Sequence, residues 1–200
     1  MRICILAFVA HFMRLSLTII LSLLFFNSFG QKFSQVVEDT SIINFMSWLF
    51  QSDTAFKAIR YVNNDIIKWQ PGKAVYPDST ISINYLNGQN IFSKNTGLTQ
   101  YLNKQDAAYF SKQIRGQHRQ KWQLKLKGIE LYDTAKLINN RLERAIFSYS
   151  IPLFSSDNKY VVIIQAFYCG LLCGGGSYNL YERQENNTWR KIKTFNEWAE

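Results

Sequence analysis

The chain has 200 residues, a length that suits one domain, and shows neither an internal repeat nor a low-complexity tract. Its 23 Lys and Arg against 14 Asp and Glu give a formal net charge of +9. Such a balance could draw anionic partners, but it argues about association and not about fold, and a solvated basic surface is the simpler meaning.

The first 30 residues stand apart. Arg2 and Arg14 precede "LSLTIILSLLFF", Leu15 to Phe26, an uncharged apolar run, and "NSFG" follows with small Ser28 and Gly30. A positive region, a short apolar core and a small-x-small site describe a secretory signal peptide. Cleavage is expected between Gly30 and Gln31, leaving residues 31–200 as a single secreted or periplasmic domain. His11 and Arg14 interrupt the apolar stretch, which argues against a retained anchor of about 20 apolar residues. Cys4 lies before the apolar core, the wrong side for lipidation, so a lipoprotein is not expected. No other segment reads as a membrane span.

"FSQVVEDTSIINFMSWLFQ", Phe33 to Gln51, reads as the first helix. Val36, Ile43, Met46 and Phe50 recur at helical spacing, Ile42, Phe45 and Leu49 widen the stripe, and Trp48 sits at its edge. "AFKAIRYV", Ala55 to Val62, leans to a strand, and Asn63–Asn64 to a turn. "DIIKW" is a short apolar piece, "QPGK" and "YPDST" are loops, and "TISINYL" alternates like a strand. A second helix follows within "GLTQYLNKQDAAYFSKQI". Asn103 is its expected N-cap, Asp106 complements the dipole in its first turn, Ala107, Phe110 and Ile114 line one side, and Gly116 ends it.

"KQIRGQHRQKWQLKLK", Lys112 to Lys127, carries six basic residues and His118. Lys112, Arg115, Arg119, Lys121, Lys125 and Lys127 could form an anion-binding patch for an envelope or extracellular component. A solvated helix end and strand edge is the plainer meaning. Trp122 is the one aromatic there for base stacking, so nucleic acid is not expected as a partner.

The last third is the most regular. "RAIFSYSIPLFS" reads as one strand, with Ala145, Phe147, Tyr149, Ile151 and Leu153 on one face and Pro152 marking an edge or bulge. "YVVIIQAFYC" reads as a central strand buried on both sides. "SYNLYER" alternates, with Tyr178 and Leu180 opposite Tyr181, and "TWRKIKTF" pairs back on it. Short turns at "SSDNK" and "QENN" make these four an antiparallel meander. With the earlier helices covering one face, the fold class is α+β.

The helix "KQDAAYFSKQI", then Lys121–Trp122, "SIPLFSSDNKYVVIIQ", "CGLLCGGGSYNLYER" and "NNTWRKI" together resemble a set of small exported bacterial proteins without assigned function. The resemblance runs from about Lys104 to Trp198, and its Cys-x-x-x-Cys-Gly element is its most specific part. It implies an exported domain ending in a sheet with a cysteine-bearing loop, and it brings no catalytic residues. A looser likeness to the cone-like curved sheet of nuclear transport factor domains implies a pocket, but a fold does not license a function.

Chemistry concentrates at Tyr168–Arg183. Gly170 to Ser177 nearly fits a phosphate-binding loop, but Gly176 stands where the lysine belongs and a strand follows instead of a helix. Cys169 and Cys173 with His118 fall short of four zinc ligands, so no metal or other cofactor is expected. Three residues separate the cysteines, where a thioredoxin-like site has two, and an apolar strand leads into them. A Cys–His nucleophile would need His118 beside a thiol. Asp106, Glu130, Asp133 and Glu143 offer no spacing that selects a carboxylate pair. What remains is a disulfide. Extended residues four apart lie about 13 Å from each other, and a disulfide requires Cα atoms about 4.4–6.8 Å apart. The chain must therefore reverse or coil at "GLL", and the glycines around it are expected to permit positive φ and close backbone approach in that reversal. The expected protein is a non-enzymatic exported binding or interaction domain. The alternatives are an enzyme acting on envelope or extracellular material, or a thiol-redox protein.

Overall fold

The computed structural model describes residues 32–52, 60–69, 96–123, 129–133, 145–170 and 173–199. The leader with its Gly30–Gln31 cleavage site, Cys4, the "TISINYL" segment, Lys125, Lys127 and Glu143 lie outside them. Residues Phe33–Glu200 form one compact unit.

In chain order the elements are helix α1 (Asp39–Ser52), strand β1 (Arg60–Asn63), a 3-10 turn (Leu98–Gln100), helix α2 (Lys104–Arg115), β2 (Ile129–Tyr132), β3 (Ile146–Tyr149), β4 (Leu153–Phe154), β5 (Tyr160–Gly170), β6 (Cys173–Arg183) and β7 (Trp189–Ala199). The strands make one sheet in the order β2-β1-β3-β5-β6-β7, with β4 also on β5. From β3 through β7 every pairing is antiparallel, so the chain is α+β with a β-rich C-terminus. The parallel pairings of β1 with β2 and β3 are an addition that sequence periodicity does not signal.

The first helix begins six residues later than periodicity suggests. Phe33 N–H donates to the Asp39 carboxylate at 2.8 Å, and Ser34 Oγ accepts from the Val36 and Val37 amides. These side-chain bonds hold the backbone in turns, the usual competition of Ser and Asp with helix. Gln35 N–H then donates to the Gly116 carbonyl, tying this segment to the end of α2. Ile42, Phe45, Met46 and Leu49 are the buried stripe of α1. The second helix matches expectation closely. Asn103 accepts from the Gln105 and Asp106 amides while Asp106 accepts from Asn103 N–H, a reciprocal capping box. Ala107, Phe110 and Ile114 are buried, and Gly116 is the C-cap.

The stretch read as one strand from Arg144 to Ser155 is two. β3 pairs with Gln165–Tyr168 and β4 with Val161–Val162. Pro152, which has no N–H for a ladder, sits in the break. Ser150 bridges it through its backbone N–H to the Ile164 carbonyl and its Oγ to the Ile164 amide. The break also changes the facing. Tyr149 and Ile151 join one core cluster and Leu153 the other, so the expected common face does not persist.

The first half of β5, Val161–Ile164, is buried on both sides, as its apolar run implies, whereas Phe167 and Tyr168 beyond Gln165 are exposed, which corrects the expectation of burial along the whole strand. Val161 and Ile163 pack in the cluster that includes Ile42, Phe45, Met46 and Leu49 of α1. Val162 and Ile164 pack in the cluster that includes Ala107, Phe110 and Ile114 of α2. Successive strand residues face opposite ways, so the two helices contribute to opposite faces of the sheet. The expectation that both cover one face is corrected. An alternating strand needs one cover, but a strand apolar at every position needs two.

Candidate functional site

The residues expected to carry chemistry separate into structural roles. Cys169 and Cys173 lie at disulfide distance, with Cα atoms 5.2 Å apart. The register of β5 on β6 shifts between Tyr168–Gly174 and Gly170–Cys173, which leaves Cys169 as the extra residue of a bulge. Gly170 has φ +120°, a backbone setting that L side chains rarely take. The next three glycines are not in the turn. Gly174, Gly175 and Gly176 are strand residues, paired with Tyr168, Phe167 and Ala166. The reading that put them in the reversal is corrected there. Their lack of side chains makes room for rings. A Cβ on Gly176 would collide with the Trp198 indole, and one on Gly175 would stand 3.3 Å from Phe167 Cε1 and 2.7 Å from the Trp198 carbonyl oxygen.

Of the six basic residues proposed as a patch, four are described. Lys112 and Arg115 lie in the last turn of α2, where cations suit the dipole. Arg119 stacks over the Phe33 ring at 4.4 Å and bonds Gln123. Lys121 stands 3.8 Å from Asp65. His118 is exposed beside them, and Trp122 is buried, with its Nε1 donating to the Tyr149 carbonyl. Asp106 accepts from Ser156 N–H and Oγ besides capping α2, so its carboxylate is a structural acceptor. Glu130 is exposed on β2. Among the described residues no three His, Cys, Asp or Glu side chains group as metal ligands, and no helix is long and apolar enough to cross a membrane.

The candidate site is one that motif reading passes over. Beside the end of α1, the described residues of the same sheet face outline a cleft of about 640 Å³. Trp48, Phe147, Phe167 and Trp189 are among its walls, and Gln165, Ser177 and Tyr181 lie in it. This volume falls within the range of small-molecule sites, about 300–1,000 Å³. Beneath it runs a hydrogen-bonded row centred on Asn179, which is 1% exposed. Asn179 Nδ2 donates to Gln165 Oε1 at 2.8 Å and to Ser177 Oγ at 2.9 Å. Its Oδ1 accepts from Thr194 Oγ1 at 2.9 Å, and Gln165 Nε2 donates to Tyr181 Oη at 3.3 Å.

Strand parity produces the row. Gln165 pairs with Ser177, Ile163 with Asn179, and Val161 with Tyr181. Ser177, Asn179 and Tyr181 therefore share the α1-side face, while Tyr178 and Leu180 face the α2 side. Two signals could have revealed it: a glutamine interrupting "VVIIQAFY", and polar residues at every second position of "SYNLY".

A second hollow, of about 440 Å³, lies on the other side of Trp189 and includes Asn44, Asn158, Arg183 and Asn187. Arg183 donates to Asn187 Oδ1 at 2.8 Å and stands 5.9 Å over the Trp189 ring.

No family model, curated protein or solved structure matches the chain.

Proposed function

We propose that this chain is an exported, non-catalytic binding domain and that the aromatic cleft beside α1 is its ligand site. One observation carries the reading. A row of amides and hydroxyls, Thr194–Asn179–Gln165 with Ser177, centred on the buried Asn179, underlies an opening walled by aromatic rings. Filling a core requires only apolar groups. A polar row under an opening is what specific recognition requires, a few placed polar groups among aromatic walls.

In this reading the helices cover the terminal sheet, and the end of α1 forms one wall of the cleft. The rings of Phe45 and Trp48 of α1 stand 5.5 and 5.7 Å from the Tyr181 ring, which supports that arrangement. A cysteine pair at disulfide distance fits an oxidising compartment. So does the leader, whose removal would leave Gln31 as the first residue. The likeness of Lys104–Trp198 to exported proteins supports the location and adds no activity.

A fragment screen by amide chemical shifts on the purified protein tests the site. Hits are expected to perturb Gln165, Phe167 and Ser177 together. Hits that gather at the basic segment around Arg115–Lys121, leaving the cleft unmoved, would transfer the binding role to that surface. N-terminal sequencing of the secreted protein checks export, with Gln31 expected first.

A further inference from the structure

We infer that the cleft takes a neutral saccharide, its sugar rings lying on the aromatic walls and its oxygens accepting from the cleft floor. The inference rests on the reading of the cleft as the ligand site.

Charge comes first. Lys191 and Glu197 are the charged residues of the cleft, one of each sign, and both are exposed. The cleft lining therefore carries no net charge, although the chain is strongly basic.

The polarity of the floor comes next. Both hydrogens of Asn179 Nδ2 are committed, one to Gln165 Oε1 and one to Ser177 Oγ. Thr194 supplies the hydrogen on Asn179 Oδ1. Gln165 therefore turns its Nε2 towards Tyr181 and the cleft, because its oxygen is held below. Ser177 already accepts from Asn179, which directs its own hydrogen away from that amide. The row thus delivers N–H and O–H donors to the cleft, fixed in orientation by a residue that never touches the ligand. Hydroxyl and ring oxygens of a sugar are the matching acceptors.

Shape completes the argument. Phe167 is 42% exposed, an unusual placing for a large apolar ring, and it projects from β5 over Gly175. Trp48 and Trp189 are further half-buried aromatic walls. A pyranose has an apolar C–H face and a polar rim, which suits aromatic rings beside amide donors. A wholly apolar ligand would fill the walls and leave the floor donors unpaired, a cost that polar sites impose on the wrong ligand. A peptide strand beside the cleft would require the β7 edge, and β7 has register shifts against β6 and a left-handed Asn196. Bulges of this kind turn an edge away from added strands.

The test titrates the purified protein with short oligomers of glucose, N-acetylglucosamine and xylose, and separately with naphthalene as an apolar probe. Tryptophan fluorescence and amide shifts report binding. At least one oligomer is expected to saturate and to shift Gln165, Phe167 and Ser177. Phe167→Ala and Gln165→Ala should each weaken it about tenfold or more. Lys112→Ala, in the last turn of α2, should leave the affinity unchanged. Ser177→Ala replaces Gln165→Ala should that variant fail to fold. Saturation by naphthalene and by no oligomer would overturn the saccharide and keep the site. Oligomer binding that ignores the cleft variants would overturn the saccharide site. Failure of both probe types to move the cleft residues would overturn the ligand-site reading with it.

Discussion

The Trp198 indole occupies the space above Gly176 that a side chain would need. The two residues are cross-strand partners, and the Tyr178 ring meets Trp198 edge-on with centroids 6.0 Å apart. An aromatic ring laid over a strand glycine restores the packing that glycine lacks. The glycine run is therefore a seat for rings, and its cost in strand propensity is offset by them.

Gly176→Ala should lower stability by about 1–3 kcal/mol, as overpacking does. A methyl there also meets the Gln165 carbonyl oxygen at 2.8 Å, a backbone atom that cannot swing aside. Trp198→Ala vacates most of the space. Urea unfolding of the two single variants and the double should then show a double variant less destabilised than the sum. Strict additivity would mean that the ring does not hold this position in solution.

Gln113 of α2 acts as a strand for β4. Its Nε2 donates to the Phe154 carbonyl at 2.6 Å, and its Oε1 accepts from Phe154 N–H at 3.0 Å. Gln113→Leu should cost roughly 2–3 kcal/mol, because it leaves both Phe154 backbone groups buried and unpaired. Gln113→Glu restores only the acceptor and should remain well below the parent protein in urea midpoint.

The Cys169–Cys173 pair predicts a mass result. Alkylation of the secreted protein without reduction should add no label at these residues, and alkylation after reduction should add two. Closing so short a ring restricts the unfolded chain by about 2 kcal/mol in the chain-entropy treatment. Cys169→Ser with Cys173→Ser should lower stability by about that amount. Two labels before reduction would show free thiols and return thiol chemistry to consideration.

Acid should weaken the β6–β7 end of the sheet. The hydrogen bond from Arg190, 2.8 Å from Glu182, holds the Glu182 carboxyl below its ordinary 4.5, against some desolvation and with help from Lys159. Partial burial works to raise Asp157, but bonds from Ser155 and the Lys159 amide outweigh it and hold that carboxyl below 3.8. A depressed native pKa means stability that is fully present above the unfolded value and lost as pH falls through the native one. Unfolding free energy should thus be level towards pH 4.5 from above and decline below it. Glu182→Gln should remove part of that decline, by less than about 1 kcal/mol because the pair is at the surface. An unchanged acid limb in Glu182→Gln would exclude this ion pair as its source.

Much was legible in local pattern. Asn103, Asp106 and Gly116 delimit α2 by chemistry within one turn of the chain, and such signals survive folding. "VVII", Val161–Ile164, is apolar without alternation, which already requires two covers. The short spacing of Cys169 and Cys173 requires a reversal between them. What the residues could not declare alone is which distant partners would compete for them. Ser34 looks like a helix residue until its hydroxyl takes the amides of Val36 and Val37 while the Asp39 carboxylate takes that of Phe33. Pro152 announces a break but not that Leu153 and Ile151 will face opposite layers. The glycines after Cys173 read as turn residues, since nothing within their own segment shows a tryptophan 22 positions beyond Gly176 returning to cover it.

The binding cleft divides the same way. Alternation along β6 placed Tyr178 and Leu180 opposite Tyr181, and that much follows from a period of two. The joining of Gln165, Asn179 and Thr194 is another matter, because they come from three strands and meet only through the register of β5, β6 and β7. Local sequence determined the helix cap, the doubly buried strand and the stapled reversal, because each depends on neighbours within a few residues. Only the tertiary structure decided where α1 lies on the sheet and which polar side chains line the cleft, because those depend on the register of three strands and on packing between segments far apart in the chain.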